Sequence, residues 1–364
     1  MTKTKTSSNR LQYLDWLRGC GALIMLQGHV FHSYMRDDLR TGGLYTLSQF
    51  VGGMPPAIFL FLTGVTLSFL MNSTERKGMA PLERVITAFR RSGYLFFLAF
   101  AFRIQLWIFG QPAPWTDLLR VDILNAMGFA IVMVSALALL STVQRAKYAA
   151  LMGMAIAFAS PLVSQIGASG LPSFIRNYVI PDPASFSFFP WGAYLAFGVS
   201  AGSVLRAIPQ ESTERAIQWA ALLGGGLILV CRYFASQSYS IYTKSDYWLN
   251  SPAQVLTKFG VVLLMLSVAF VWTRYASNGG WSFVRQLGTT SLLVYWVHIE
   301  LVYGRWFWFF KNSLNGAQCV VIALFLILLM IGISTAKTYR HRLKEIVADW
   351  GWNIGAKPDR VPGD

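Results

Sequence analysis

Ten long apolar stretches occupy most of this chain of 364 residues, at roughly 12–34, 48–71, 92–110, 121–140, 147–166, 186–207, 215–234, 253–273, 281–303 and 317–335. Each approaches the 20 or so mostly apolar residues that a helix needs to cross a hydrocarbon core. Lipid offers no partner to backbone N–H and C=O groups, so separate spans must be helices. The expected fold class is therefore all-α: a polytopic integral membrane bundle of about ten transmembrane helices. The chain is 54% hydrophobic and only 13% charged, where a soluble domain carries about 25% charge. Lipid is the solvent this balance calls for.

The net charge of +15 would suit a nucleic-acid partner. However, the basic residues sit in short loops between the spans. That placement points to membrane topology and anionic lipid headgroups, and away from nucleic acid. With a cytoplasmic N-terminus the inside loops and tail hold 20 Lys and Arg and the outside loops hold 8. The bias predicts both termini in the cytoplasm. Tails of about 1–10 and 337–364 flank one transmembrane domain that takes up the whole chain, with no internal repeat. The first apolar stretch lacks a small-residue cleavage site and reads as a retained span. The linker Asn72–Ser92 is predicted to form an amphipathic surface helix, with Leu82, Val85, Ile86 and Phe89 opposite Arg84 and Arg91. Cys20, Cys231 and Cys319 have no CxxC spacing, so neither a metal site nor a disulfide framework is expected.

Polar residues inside spans mark sites or pathways, because a charge or imidazole in hydrocarbon is costly. Alternating spans give each one a depth. Asp15 and Arg18 lie near the inner end of span one, three residues apart, a spacing that permits an ion pair. The same pair would serve as a structural clasp at the interface. His29 stands 11 residues beyond Arg18, about 16 Å further out, and His32 follows on the same face. His298 and Glu300 end span nine, beside Tyr303 and Arg305. Asp122 and Asn125 open span four, Arg103 lies in the outer third of span three, and Lys258 in the outer part of span eight. Arg103 needs a partner if buried, and Asp122 is the natural one. Histidine suits proton transfer near neutral pH, and for His29 and His298 that reading outweighs the alternative of a satisfied packing group, while His32, Lys258 and Glu300 could equally snorkel to the interface. Pro55 and Pro56, preceded by Gly52 and Gly53, mark a kink or a functional break in span two. The chain has no P-loop, no Gly-x-Ser-x-Gly elbow and no His-Glu-x-x-His helix.

Four blocks carry a resemblance. Arg10-Leu-Gln-Tyr-Leu-Asp15-Trp-Leu-Arg18-Gly19, followed by Met25-Leu-Gln-Gly-His29, resembles the opening motif of membrane acyltransferases. That motif is shared by the acyltransferase family three and by proteins similar to the catalytic domain of heparan-α-glucosaminide N-acetyltransferase. Pro56-Ala-Ile-Phe-Leu-Phe-Leu-Thr-Gly64, Asp122-Ile-Leu-Asn-Ala-Met-Gly128 and Leu287-Gly-Thr-Thr-Ser-Leu-Leu-Val-Tyr-Trp-Val-His298 are similar to later motifs of the second group.

The resemblance implies an enzyme of a bacterial inner (plasma) membrane. It would move an acyl group from acyl-CoA, with acetyl-CoA the expected donor, to a sugar hydroxyl or amine across the bilayer, without a metal. His29, His298 and Asp122 are the expected catalytic residues, with His29 the base and Asp122 or Glu300 orienting or charge-balancing a histidine. Arg103, Asn125, Glu300 and His32 would position the acceptor or the oxyanion. The phosphates of CoA favour a cytoplasmic mouth lined by basic groups, for which Asp15, Arg18, Arg84 and Arg285 are the candidates. An acyl-imidazole route through His29 and a homodimeric assembly stay open. The rival readings are a secondary transporter of a small polar or anionic solute and a non-catalytic membrane scaffold.

Overall fold

The computed structural model describes residues 11–110, 113–166, 170, 172–237, 239–276 and 280–355, and of 341–355 only the backbone. The expected N-terminal tail and the end of the C-terminal one lie outside the described residues. The helices are α1 (Gln12–Tyr34), α2 (Gly43–Gly52), α3 (Pro55–Arg76), α4 (Pro81–Phe109), α5 (Ile123–Val134), α6 (Thr142–Val163), α7 (Ser173–Val179), α8 (Phe188–Ala207), α9 (Thr213–Ala235), α10 (Pro252–Val271), α11 (Phe283–Thr289), α12 (Ser291–Tyr303) and α13 (Gly316–Gly355). No strand occurs among the described residues, only an isolated bridge between Met35 and Leu314.

Seven helical segments are long and apolar enough to cross a membrane: Gly43–Arg76, Pro81–Phe109, Thr142–Val163, Phe188–Ala207, Gln210–Ala235, Pro252–Ala276 and Gly316–Arg340. The expectation of ten rests on three further segments that are less apolar or shorter. α1 has the length but carries Asp15, Arg18, His29 and His32. α5 gives way to a 3-10 turn at Ser135–Leu139. Span nine is divided at Thr290 into α11 and α12.

Many large apolar side chains face outward on these helices, among them Phe97, Ile104, Leu222, Leu229, Leu324 and Leu328, each at least half exposed. A water-soluble protein would not present such a surface. In lipid it needs no cover, and the protein is an integral membrane protein. The linker before span three differs from its expectation. α4 begins at Pro81 and runs on into the span without a separate surface helix. Its Leu82, Ile86 and Phe89 face outward while Arg84 is buried. Lipid accepts the apolar face, so the arginine turns inward to a carboxylate.

α1 lies at the centre of what concerns function. For reference, the end of the bundle where α1 starts is the N-face and the end where it finishes is the C-face. Near the N-face, a Cβ on Gly19 would fall on the Val284 carbonyl, and one on Gly288 would fall on the Asp15 carbonyl. The backbones of α1 and α11 therefore touch where neither residue has a side chain. Nearer the C-face, a Cβ on Gly28 would come within 2.8 Å of Gly52 Cα, at the α2–α3 break. Pro55 and Pro56 occupy the first turn of α3, where no N–H is needed.

Candidate active site

The residue after Gly28 is His29, so the close approach to Gly52 fixes the depth and heading of its imidazole. The end of α1 is tied to α12 by two side chains: Ser33 Oγ donates to the Val302 carbonyl at 3.3 Å, and Tyr34 Oη to the Leu301 carbonyl at 3.2 Å. These ties bring His29 onto His298. The two ring nitrogens, His29 Nδ1 and His298 Nε2, lie 2.9 Å apart, with ring planes at 15°.

The direction of that bond follows from the next one. His298 Nδ1 lies 2.7 Å from the Val294 carbonyl. A carbonyl only accepts, so His298 Nδ1 carries the hydrogen. In a neutral ring, His298 Nε2 is then the acceptor and His29 Nδ1 donates to it. The lone pair of His29 is left on Nε2, which makes no hydrogen bond among the described residues. His298 is fully buried and His29 partly exposed. This is the second-partner logic that fixes histidine tautomers generally. The ring of Tyr303 stands edge-on to His29 with centroids 5.3 Å apart, and Tyr295 flanks His298 at 6.0 Å.

The other polar groups expected near this depth fall into pairs of their own. Arg103 Nε lies 3.2 Å from Asp122 Oδ2, aligned as a charge pair rather than a directed hydrogen bond. Asp122 also caps α5, its Oδ1 accepting from the backbone N–H of Leu124 and Asn125 at 3.0 and 3.2 Å. Asn125 Nδ2 donates to Tyr178 Oη at 3.0 Å, while its buried Oδ1 has no partner among the described residues. Glu300 accepts from Gln105 Nε2 at 3.4 Å and from Trp306 Nε1 at 3.2 Å. Lys258 is buried, donating to the Gly53 carbonyl at 3.3 Å with its ammonium 5.3 Å from the centre of the Trp191 ring. His32 is exposed, and its carbonyl accepts from Arg40 at 2.9 Å.

Sequence reasoning gave a carboxylate, Asp122 or Glu300, the task of orienting a histidine. Among the described residues neither hydrogen-bonds one, because Arg103 and the α5 amides engage the first and Gln105 and Trp306 the second. The two imidazoles orient each other. Their equal depth was legible, but their contact depends on how α1 packs against α12. Tyr178, on the short helix α7, and Gln105 carried no sequence signal.

At the N-face the expected donor-binding residues do not form one cluster. Arg18 Nη1 pairs with Asp15 Oδ1 at 3.2 Å, and Arg285 donates to Gln12 Oε1 at 3.1 Å and to the Gly280 carbonyl at 2.9 Å, all on the α1–α11 seam. Arg84 is on a different seam, buried 3.9 Å from Glu75. No group of three or more His, Cys, Asp and Glu side chains among the described residues has a metal-binding arrangement.

A lipid-facing helical bundle with a tautomer-fixed histidine pair near one end defines a class: integral membrane proteins with a polar site inside the bundle. Comparison with known families narrows it. Residues 10–244 match the family described as heparan-alpha-glucosaminide N-acetyltransferase, catalytic. The chain belongs to that family of membrane acetyltransferases. The match takes in His29, Arg103, Asp122 and Asn125 and ends before α10, so His298 and Glu300 lie beyond it. No curated protein matches the chain.

Proposed function

We propose that this protein transfers an acetyl group from acetyl-CoA, loaded at the N-face, to a hydroxyl or amine of a carbohydrate near the C-face, with His29 as general base. The observation that carries the reading is the chain Val294 carbonyl, His298, His29. It holds a neutral imidazole with its lone pair on Nε2, inside a bundle whose family acetylates an amine. The acceptor's O–H or N–H gives its proton to His29 Nε2 as the oxygen or nitrogen attacks the thioester carbonyl. The tetrahedral adduct then collapses, the C–S bond breaks, and the CoA sulfur leaves with the proton carried by His29. The Arg103–Asp122 pair, Asn125 Oδ1 and Glu300 supply charge and acceptors for placing the sugar.

His29 lies sixteen residues along α1 from Tyr13, about 24 Å at 1.5 Å per residue. A nucleotide that stays at the N-face must therefore reach the base through its extended pantetheine arm. The charge bias of the loops supports an N-face in the cytoplasm, on the side where acetyl-CoA would be loaded, and an inner-membrane location with both termini inside. Asp15, Arg18 and Arg285 line the start of α1 and remain candidates for that mouth.

The test is direct. Purified protein given acetyl-CoA should release free CoA thiol only when a suitable sugar is added, and His29→Ala should release it about 10²–10⁴-fold more slowly. If no sugar in a panel of hexosamines, hexoses and their oligomers elicits CoA release, while proteoliposomes take up solute without CoA, the transporter replaces the enzyme.

A further inference from the structure

At the N-face, α3, α4, α6 and α8 assemble a strongly basic region. Its inner part is Glu75, whose Oε2 accepts from Arg145 Nη2 at 2.8 Å and from Thr142 Oγ1 at 3.0 Å, with Arg84 at 3.9 Å. Arg145 is 0% exposed and also caps the turn before it, donating to the carbonyls of Leu137 and Leu140. Two buried guanidiniums thus share one carboxylate, which leaves one positive charge uncompensated. Arg145 Nη1 and Arg84 Nε have no hydrogen-bond partner among the described residues. Buried charge is costly unless paired, and a buried donor without an acceptor adds to that cost.

Beside this node opens a pocket of about 390 Å³ lined by Phe69, Asn72, Ser73, Arg76, Lys77 and Arg206. Asn72 joins the two: its Nδ2 donates at 2.8 Å to Thr142 Oγ1, the hydroxyl that Glu75 holds. Arg206 is fixed over the Phe69 ring at 4.2 Å. Among the described residues, Arg76 and Lys77 form no ion pair and no carboxylate lines the pocket. Arg76, Lys77 and Arg206 are exposed, as topology charges are, but charges that served topology alone would have no reason to gather. Here three converge on a concave pocket, and a buried excess charge behind it raises the potential further.

We infer that this pocket is a binding site for a phosphate ester. The guanidinium of Arg206 and the flexible cations of Arg76 and Lys77 offer the fork and point-charge contacts that phosphate oxygens accept. Asn72 and Ser73 add neutral donors. A phosphate here comes either from a soluble nucleotide, such as the phosphorylated end of CoA, or from the headgroup of an anionic lipid at the membrane interface. The site itself does not rest on the acetyltransferase reading; only the first of its two sources does.

The experiment compares wild type with Arg76→Ala/Lys77→Ala and with Arg206→Gln. Arg274→Ala serves as control, since it removes an exposed N-face charge outside the pocket. Binding is read as thermal stabilisation and by titration in detergent, on variants that elute as wild type does. The soluble probes are CoA, dephospho-CoA and pantetheine. The lipid probes are nanodiscs of phosphatidylcholine with and without phosphatidylglycerol.

Wild type should prefer the phosphorylated member of one of these sets by roughly tenfold or more, the worth of one charge-assisted hydrogen bond. Both pocket variants should lose that preference and Arg274→Ala should keep it. A preference within the CoA series assigns a soluble ligand, and one within the lipid series assigns a headgroup. A wild type without preference in either set, or pocket variants that keep it in full, overturns the inference. Neither readout needs turnover. A pocket response without CoA release would sink only the transferase reading, and CoA release with an indifferent pocket would sink only this one.

Discussion

Replacing His298 should slow acetyl transfer by roughly 5- to 150-fold without unfolding the protein, and the loss should vanish when His29 is already gone. The magnitude comes from the bond between the rings. In His298→Ala, His29 Nδ1–H loses its acceptor, and a donor left unsatisfied in a buried site costs about 1–3 kcal/mol. That penalty is relieved if the ring turns or switches its hydrogen to Nε2, which removes the lone pair that takes the acceptor's proton. At about 1.4 kcal/mol per decade, the productive tautomer becomes roughly 5- to 150-fold rarer. His29→Ala removes the base itself, for about 10²–10⁴-fold.

Because the two act as one unit, the double variant should be no slower than His29→Ala alone. His298→Gln, whose amide oxygen can accept from Nδ1–H, should recover part of the loss. The assay is release of CoA thiol at saturating acceptor on detergent-purified protein, with elution profile and thermal midpoint as fold controls. Multiplicative losses in the double variant would refute the orienting role, as would an effect of His298→Ala below about twofold.

Three other outcomes follow from the geometry. Asp122→Ala removes both the α5 cap and the partner of the Arg103 guanidinium, which is 15% exposed, so its thermal midpoint in detergent should fall by the equivalent of about 2–4 kcal/mol. Asp122→Asn keeps the cap and should fall less; equal midpoints would show that the pair carries no stability. Gly19→Ala and Gly288→Ala each drive a methyl into a facing carbonyl, so folded yield should drop sharply. Gly225→Ala, with open space around it, should behave as wild type. A reporter fused after Asp364 should be labelled only after cells are permeabilised, and labelling of intact cells would reverse the assigned topology.

Much of the architecture was legible because hydropathy needs no partner to be read. A stretch such as 253–273 must be a membrane-crossing helix whatever lies beside it, and α10 occupies Pro252–Val271. Depth was legible for the same reason: alternating spans put His29, Arg103, Asp122 and His298 near one end before any contact was known. The Arg103–Asp122 pairing could be anticipated, since a buried guanidinium requires a carboxylate and one lay at the same depth. Which neutral groups meet could not be anticipated. An imidazole is satisfied equally by a carboxylate, a carbonyl or another imidazole, and the sequence weights all three alike.

Periodicity also separated Arg84 from Leu82, Ile86 and Phe89 on opposite faces of a helix, but it did not say which face was covered. In water the apolar face would turn inward. Against lipid it turned outward, and Arg84 went inside with Arg145. Sequence alone thus determined the solvent, the positions of the long apolar helices and the shared depth of His29 with His298 and of Arg103 with Asp122, because these depend on local composition and on the rise per residue. Only tertiary packing decided the rotation of each helix about its axis. It brought Gly28 against Gly52 and α1 against α12, so that one imidazole holds the other, and it gathered Arg76, Lys77 and Arg206 around one pocket. Rotation is set by backbone crossings between distant segments, and no property of a single segment encodes it.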